Sequence, residues 1–266
     1  EREREMADLF QNQSENYVEV RPNYPPELFR FIASKTPRHQ LAWDVATGSG
    51  QAAASLAGIY ETVVATDTSA QQLAHAPPLP NVRYGHTPAA IPLDELELHV
   101  APPGTVDVVT VAQGLHWFDL PSFYGVANRA LRRPGGVLAA WCYTRLRVDE
   151  RVDAVYDRFF AASWPYWAPE RRMVEERYAG VEFPFEAVEG EEHTGPFEFA
   201  TAREMDLGAL LTYIRSWSAY QTALDKGVDL LDEVWRAEFR RAWGGDGSAV
   251  KAVRFPVYLR IGRVTS

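Results

Sequence analysis

The chain has 266 residues, a net charge of −9 and 46% hydrophobic residues, enough for one large domain, or a domain with a cap, around a real core. The acidic balance argues against nucleic acid or an anionic membrane as the main partner, while a locally basic site could still take a small anion. One cysteine, Cys142, excludes an intramolecular disulfide and a cysteine metal cluster; no apolar run approaches the ~20 residues that span a bilayer and no basic-then-apolar leader opens the chain, so we read a cytoplasmic protein.

Residues 7–20 read as a helix with Leu9, Phe10, Gln13 and Tyr17 along it, broken by Arg21-Pro22-Asn23-Tyr24-Pro25-Pro26. Residues 27–34 resume as a helix with Leu28, Phe29, Ile32 and Ala33 on one face. Residues 41–67 are the stretch around which the rest is organised. An apolar strand, 41–45, carries one acid, Asp44; the small turn Ala46-Thr47-Gly48-Ser49-Gly50 follows; 51–59 read as a helix; 62–65 are β-branched and end on Asp67. The glycines let the backbone approach a ligand, the helix behind them aims its free N–H groups at the same place, and an acid closing the second strand suits a ribose.

Residues 68–76 are helix-compatible, with Leu73 as the apolar anchor, and Pro77, Pro78 and Pro80 end them; 82–85 read as a third strand and 91–104 as a short helix and loop. Residues 105–111 are nearly continuous in β-branched side chains, as a strand buried on both faces should be. They run into Gln113-Gly114-Leu115-His116-Trp117-Phe118-Asp119, which an open α/β sheet places at the mouth of its site. Residues 121–132 form an amphipathic helix through Phe123, Val126, Ala127, Ala130 and Leu131, and 137–143 a fifth strand. Five strands alternating with helices or loops make a doubly wound sheet. Beyond it, 150–160, 206–220 and 229–243 are helical, 181–201 includes a strand, and 255–264 is a final strand. Late helices before a last strand look like a cap over the ligand edge. The expected organisation is a single domain: 6–40 N-terminal lid helices, 41–143 nucleotide-binding core, 144–250 mostly cap, 251–266 last strand.

The glycine loop fits two nucleotide sites. Gly48, Gly50 and Ala53 satisfy the dinucleotide form, which with Asp67 would make a nicotinamide-dependent oxidoreductase. Asp44 favours S-adenosylmethionine (SAM), because a methionine amino group has use for a carboxylate that a pyrophosphate lacks. A binding protein without turnover on the same fold is the third reading.

Tyr17, Arg21-Pro22, Tyr24-Pro25, the run Asp44 to Gly50, Asp67, the segment Gln113 to Asp119, Arg133-Pro134-Gly135-Gly136 and Arg215-Ser216-Trp217-Ser218 together resemble the class I SAM-dependent methyltransferases of the type-11 group, and within it the trans-aconitate methyltransferase-like branch. The resemblance spans nearly the whole chain and implies a seven-stranded α/β sheet with an antiparallel last strand, SAM as methyl donor and S-adenosylhomocysteine (SAH) as product. It implies that Asp44 and the loop Ala46, Thr47, Gly48 and Gly50 hold the methionine part, that Asp67 takes the ribose hydroxyls with Thr68 beside it, and that Ala89 lines the adenine. Gln113, Gly114 and His116 would sit under the sulfonium, and Tyr17 and Arg21 in an N-terminal lid. Ala46 departs from the family glycine, and alanine fits there if its φ stays negative.

Methyl transfer to an already activated methyl needs positioning and exclusion of water, and a base only if the nucleophile arrives protonated. His116 is the one candidate base, set against the plainer reading of a residue tied to its own loop. Trp117, Tyr143, Trp167, Arg215 and Trp217 are candidates for the acceptor site, Arg215 because its fork of donors suits a carboxylate. The remaining histidines have no metal-ligand spacing, and we expect no metal. The expected partner is a small-molecule acceptor, with neither nucleic acid nor membrane.

Overall fold

The computed structural model describes residues 22–265, so the 7–20 helix, Tyr17 and Arg21 lie outside the described residues. The first described helix, α1 (Pro26–Lys35), starts on a proline, whose fixed φ suits a first turn, and has Glu27 and Lys35 at the ends that the helix dipole favours. The strands are β1 (Leu41–Val45), β2 (Thr62–Asp67), β3 (Val82–His86), β4 (Val108–Ala112), β5 (Val137–Tyr143), β6 (Phe197–Met205) and β7 (Lys251–Arg263). They form one seven-stranded sheet in the order β3-β2-β1-β4-β5-β7-β6, with β1 to β5 parallel and β7 antiparallel to β5. This is the doubly wound sheet expected from the sequence. The order reverses between β1 and β4, and ligands of such sheets sit at the carboxyl ends beside that reversal.

Small helices connect the early strands: α2 (Gln51–Ala57), α3 (Ala70–Ala74), α4 (Leu96–His99) and α5 (Leu120–Ala130). α3 is shorter than its sequence suggested, because Ser69 caps it by accepting from the Gln72 N–H, and its wholly buried residue is Gln72 rather than Leu73. β4 starts at Val108, three residues later than read; Val106 bridges Leu131 instead. On one face of the sheet Trp43, Val64, Val109, Val111, Leu138 and Cys142 pack against Leu96 and the buried side of α5, which places Cys142 in the core. On the other face Phe29 of α1 meets Trp141 edge-on, with ring centroids 5.8 Å apart. At the amino end of the strands, buried Asp107 accepts from the N–H groups of Gln40 and Leu41 and from Arg132, tying β4, the start of β1 and the end of α5 together.

The remaining helices are α6 (Glu150–Ser163), α7 (Arg171–Glu175), α8 (Leu207–Arg215), α9 (Ser218–Asp225) and α10 (Glu233–Trp243). The single helix read over 206–220 is two. The Ser216 hydroxyl donates to the Tyr213 carbonyl at 2.6 Å, competing with the helical bond, and Trp217 turns to an extended conformation before α9 begins. α10 begins at Glu233 because Asp232 caps it by accepting from the Trp235 N–H.

The chain gathers into two compact units. The sheet unit comprises 24–144, 172–199 and 257–266; the helical unit comprises 145–171 and 200–256, with β6 and β7 running through both. The helical unit has an aromatic core: Trp217, 2% exposed, lies against Tyr156, Phe159, Phe160, Trp167 and Tyr213. No helix among the described residues is long and apolar enough to cross a membrane.

Candidate active site

The site is built where β1, β2 and β4 end. After β1 the backbone makes three left-handed steps, at Ala46 (φ 54°), Gly48 (φ 58°) and Gly50 (φ 77°). The condition set for alanine, a negative φ, is therefore not met: Ala46 is held in the left-handed conformation at a cost of about 1–2 kcal/mol. Two acids hold the loop, Asp44 buried and Asp67 partly exposed. The Gly48 N–H donates to Asp67 Oδ2 at 2.7 Å and the Ser69 N–H to Asp67 Oδ1 at 2.8 Å. Asp44 has no exposed surface; Thr47 and Thr110 donate their hydroxyls to its two oxygens at 2.5 and 2.7 Å. Each of its oxygens thus accepts one bond from inside the fold, which fixes the carboxylate under the loop. Burial pushes its carboxyl up to about 6, opposed by the Thr110 and Thr47 hydroxyls and reinforced by the like charge of Asp67. Asp67 is also pushed up by burial, against the backbone N–H groups it accepts, yet it remains partly exposed at the strand end.

Gly50 caps α2 in the left-handed conformation, and the space beside it is shaped by β3 and the segment after α3. A Cβ on Gly50 would lie 2.9 Å from the Tyr84 hydroxyl oxygen and 3.2 Å from the Ala76 Cβ. Thr68 and Ala89 are exposed beyond the ends of β2 and β3; the Thr68 carbonyl meets the His86 ring at 3.0 Å and the Thr87 N–H returns to the Asp67 carbonyl.

β4 supplies the third side. Gln113 is a non-glycine residue at φ 60°, and its buried amide nitrogen has no hydrogen-bond partner among the described residues. An orphaned donor on strained backbone at a strand end makes Gln113 a candidate ligand contact. Gly114 lies under the loop: a Cβ there would be 3.2 Å from the Ala46 Cβ. Ala46→Gly removes the strain at the cost of about 0.4–1 kcal/mol of unfolded-chain entropy, so a net gain of about 0.5–1 kcal/mol is expected in urea unfolding. Gly114→Ala alone should be destabilising, and Ala46→Gly should relieve only part of that cost because the new Cβ also lies 3.2 Å from Val111 Cγ1; additivity of the two in a double-mutant cycle would contradict the Ala46 contact.

His116 follows in a short 3₁₀ turn and is 8% exposed; its Nδ1 lies 2.9 Å from the Tyr178 hydroxyl, and its ring rests against Trp117. His116 is thus bonded to a distant side chain, and the sequence offered no signal for Tyr178. Tyr143 is buried on β5 and Trp117 is half-buried.

The other acceptor-site candidates lie in the helical unit. Trp167 is half-buried, donates to the Ser163 hydroxyl at 3.0 Å, and is covered by the Arg171 guanidinium 4.5 Å from its ring. Trp217, expected on a pocket wall, is in the core of this unit because five aromatic neighbours enclose it. Arg215 is exposed and interacts with Tyr220 and Asp229; Tyr220 donates to Asp229, which also accepts from Arg236. Arg236 is the ion-pair partner of Asp229, and Arg215 acts on that carboxylate through its charge.

Comparison with known proteins matches this architecture. Residues 43–140 match the family model described as a methyltransferase domain. A Dictyostelium discoideum protein named as a methyltransferase is 32% identical over 259 residues, 95% of this chain and 93% of that protein. A methyltransferase of Aspergillus candidus is 29% identical over 189 residues, and the chain spans 59% of its length. Among solved structures, a type II methyltransferase from Anaeromyxobacter dehalogenans is 36% identical, with a TM-score of 0.78 over 92% of this chain and 98% of that one. Family membership decides between the two nucleotide readings. The glycine loop, the acid ending β2 and the orphaned Gln113 amide fit SAM, and the chain belongs to the class I SAM-dependent methyltransferases.

Proposed function

We propose that the enzyme transfers the methyl group of SAM to a carboxylate oxygen of a small-molecule acid. The sulfonium of bound SAM supplies the activated methyl. The chain's part is to hold the donor, orient the acceptor and exclude water. The observation that carries the reading is the commitment of His116: the one candidate base at the end of β4 is buried and bonded through Nδ1 to Tyr178, and a carboxylate needs no base. The resemblance to the trans-aconitate methyltransferase-like branch supports the same acceptor class. In this reading Asp67 takes the ribose hydroxyls, the 46–50 loop the methionine part, Thr68 and Ala89 flank the nucleoside, and Gln113 donates its spare N–H to bound ligand. The setting in this reading is cytoplasmic.

Arg215 is the candidate for the acceptor's carboxylate, since its fork of donors is exposed and the neighbouring Asp229 is paired with Arg236. Arg215→Lys keeps the charge but loses the fork; it should raise the acceptor KM about tenfold while SAH affinity stays at the parent value. The second reading is methylation of a phenol or amine with His116 taking the proton, which requires a ring nitrogen other than the Nδ1 bonded to Tyr178. Labelled SAM with a panel of carboxylates, phenols, thiols and amines separates the two. Base-labile ester products and a flat pH profile near neutrality support the acid; products from phenols or amines, with a limb abolished by His116→Ala, overturn it.

A further inference from the structure

We propose that Tyr178 and Arg260 are positioning residues for His116: Arg260 grips the backbone around Tyr178, and Tyr178 fixes the His116 ring through Nδ1, setting the direction in which the other ring nitrogen points. The inference rests on the reading that His116 borders the methyl-transfer site.

The segment after α7 is bent in an unusual way. Arg177 (φ 61°) and Tyr178 (φ 56°) are consecutive non-glycine residues in the left-handed region, a conformation that L residues adopt only under constraint. Local bonds shape the bend: the Tyr178 N–H donates to the Met173 carbonyl and the Val181 N–H to the Tyr178 carbonyl. The constraint from outside is Arg260, in the middle of β7 opposite Ala140 of β5 and 6% exposed. Its Nη1 donates to the carbonyls of Tyr178 at 2.6 Å and Val181 at 3.2 Å; its Nε and Nη2 donate to the Thr194 carbonyl and hydroxyl; and the guanidinium lies 4.9 Å from the Phe183 ring centroid. Burial lowers the affinity of this guanidinium for its proton. A buried cation held by carbonyl dipoles is a poor way to gain stability, and an apolar side chain would fill β7 more cheaply. What the guanidinium provides is geometry, because its planar fork holds several carbonyls of one bend at once.

The bend delivers one group. Tyr178 has no exposed surface, and its hydroxyl ends 2.9 Å from His116 Nδ1, with the two rings tilted by 36°. Phenylalanine would fill the same volume. The hydroxyl adds a bond that fixes which ring nitrogen faces inward, and the partner of one imidazole nitrogen governs the protonation and direction of the other.

The test is spectroscopic and kinetic. Imidazole nitrogen resonances of the full chain are recorded with and without SAH, with His116 assigned by its loss in His116→Asn. Tyr178→Phe is expected to move the His116 Nδ1 resonance. It should leave SAH affinity within about twofold of the parent and lower kcat about tenfold or more on the acceptor found by the panel. Arg260→Lys, and Arg260→Met as the volume-filling alternative, are expected to move the same resonance in the same direction. A purely structural role would lower the unfolding midpoint and leave that resonance in place. The proposal is overturned if Tyr178→Phe leaves the resonance where it was or moves it with kcat unchanged. Arg260 is removed from it if either folded Arg260 variant keeps the parent spectrum. Failure of the parent to bind SAH would count against the donor site and not against this arrangement, which the ligand-free spectra report.

Discussion

Gly50→Ala is expected to abolish tight SAH binding and to cost the sheet unit about 2–5 kcal/mol of stability. Two effects add. Any side chain at φ 77° is strained by about 1–2 kcal/mol, and the new Cβ meets the Tyr84 hydroxyl at 2.9 Å and the Ala76 Cβ at 3.2 Å. Tyr84 does not swing away freely, since its hydroxyl donates to the Pro77 carbonyl at 3.0 Å. Because Gly50 is the first residue ahead of α2, the displacement moves the N–H groups that open that helix. Tyr84→Phe removes the atom nearest the new Cβ and should restore part of the lost stability in the double variant. Calorimetry with SAH and urea unfolding check both. Parent-like binding by Gly50→Ala would show that the loop does not touch the donor.

Asp44→Asn is expected to stabilise the protein at pH 8 by up to about 3 kcal/mol and at the same time to weaken its preference for SAM over SAH. Burial lifts the Asp44 carboxyl from the ordinary 3.8 to about 6. Between these values the folded chain keeps a proton that the unfolded chain has released, so folding is penalised as pH rises. This group's contribution is most favourable below about 4, falls between about 4 and 6, and is at its worst above. Asparagine is neutral throughout and removes that slope. SAM carries one more positive charge than SAH, so an ionised Asp44 favours SAM. In the parent the ratio of SAM to SAH affinity should rise as pH passes about 6, and in Asp44→Asn it should stay flat. Unfolding at pH 5 and 8, with titrations of both ligands, measures each part. An asparagine variant less stable than the parent at pH 8 would mean that the two threonine hydroxyls need the charge more than burial opposes it.

The fold was legible where local chemistry and burial agree. β5 is as read because all seven of its residues are buried apolar side chains, and Pro134-Gly135-Gly136 marks its start. The 41–67 unit was legible because strand, small turn and acid follow one another within one short stretch. Three features were not. The left-handed Ala46 is set by the shape of the loop and not by any preference of alanine. The break at Ser216 is hidden by apolar spacing that continues through Tyr213, Ile214 and Trp217 as if one helix ran on, while a single hydroxyl ends it. Trp217 gave the same periodic signal whether it walled a pocket or filled a core, and its aromatic neighbours come from segments that only tertiary structure joins. The arrangement behind His116 is the extreme case: Tyr178 is 62 residues from His116 and 82 from Arg260, and no local motif connects them.

The measurement that bears most directly on the donor site is an SAH titration of the parent and of Asp67→Ala, with NADH as the control ligand. The carboxylate at the end of β2 holds the Gly48 N–H at 2.7 Å and remains partly exposed, as the proposed ribose contact requires. We expect SAH to bind the parent, the variant to lose about 1.5–3 kcal/mol of that affinity, and NADH to give no heat with either. Equal SAH affinity in parent and variant, or binding of NADH in place of SAH, would contradict the account.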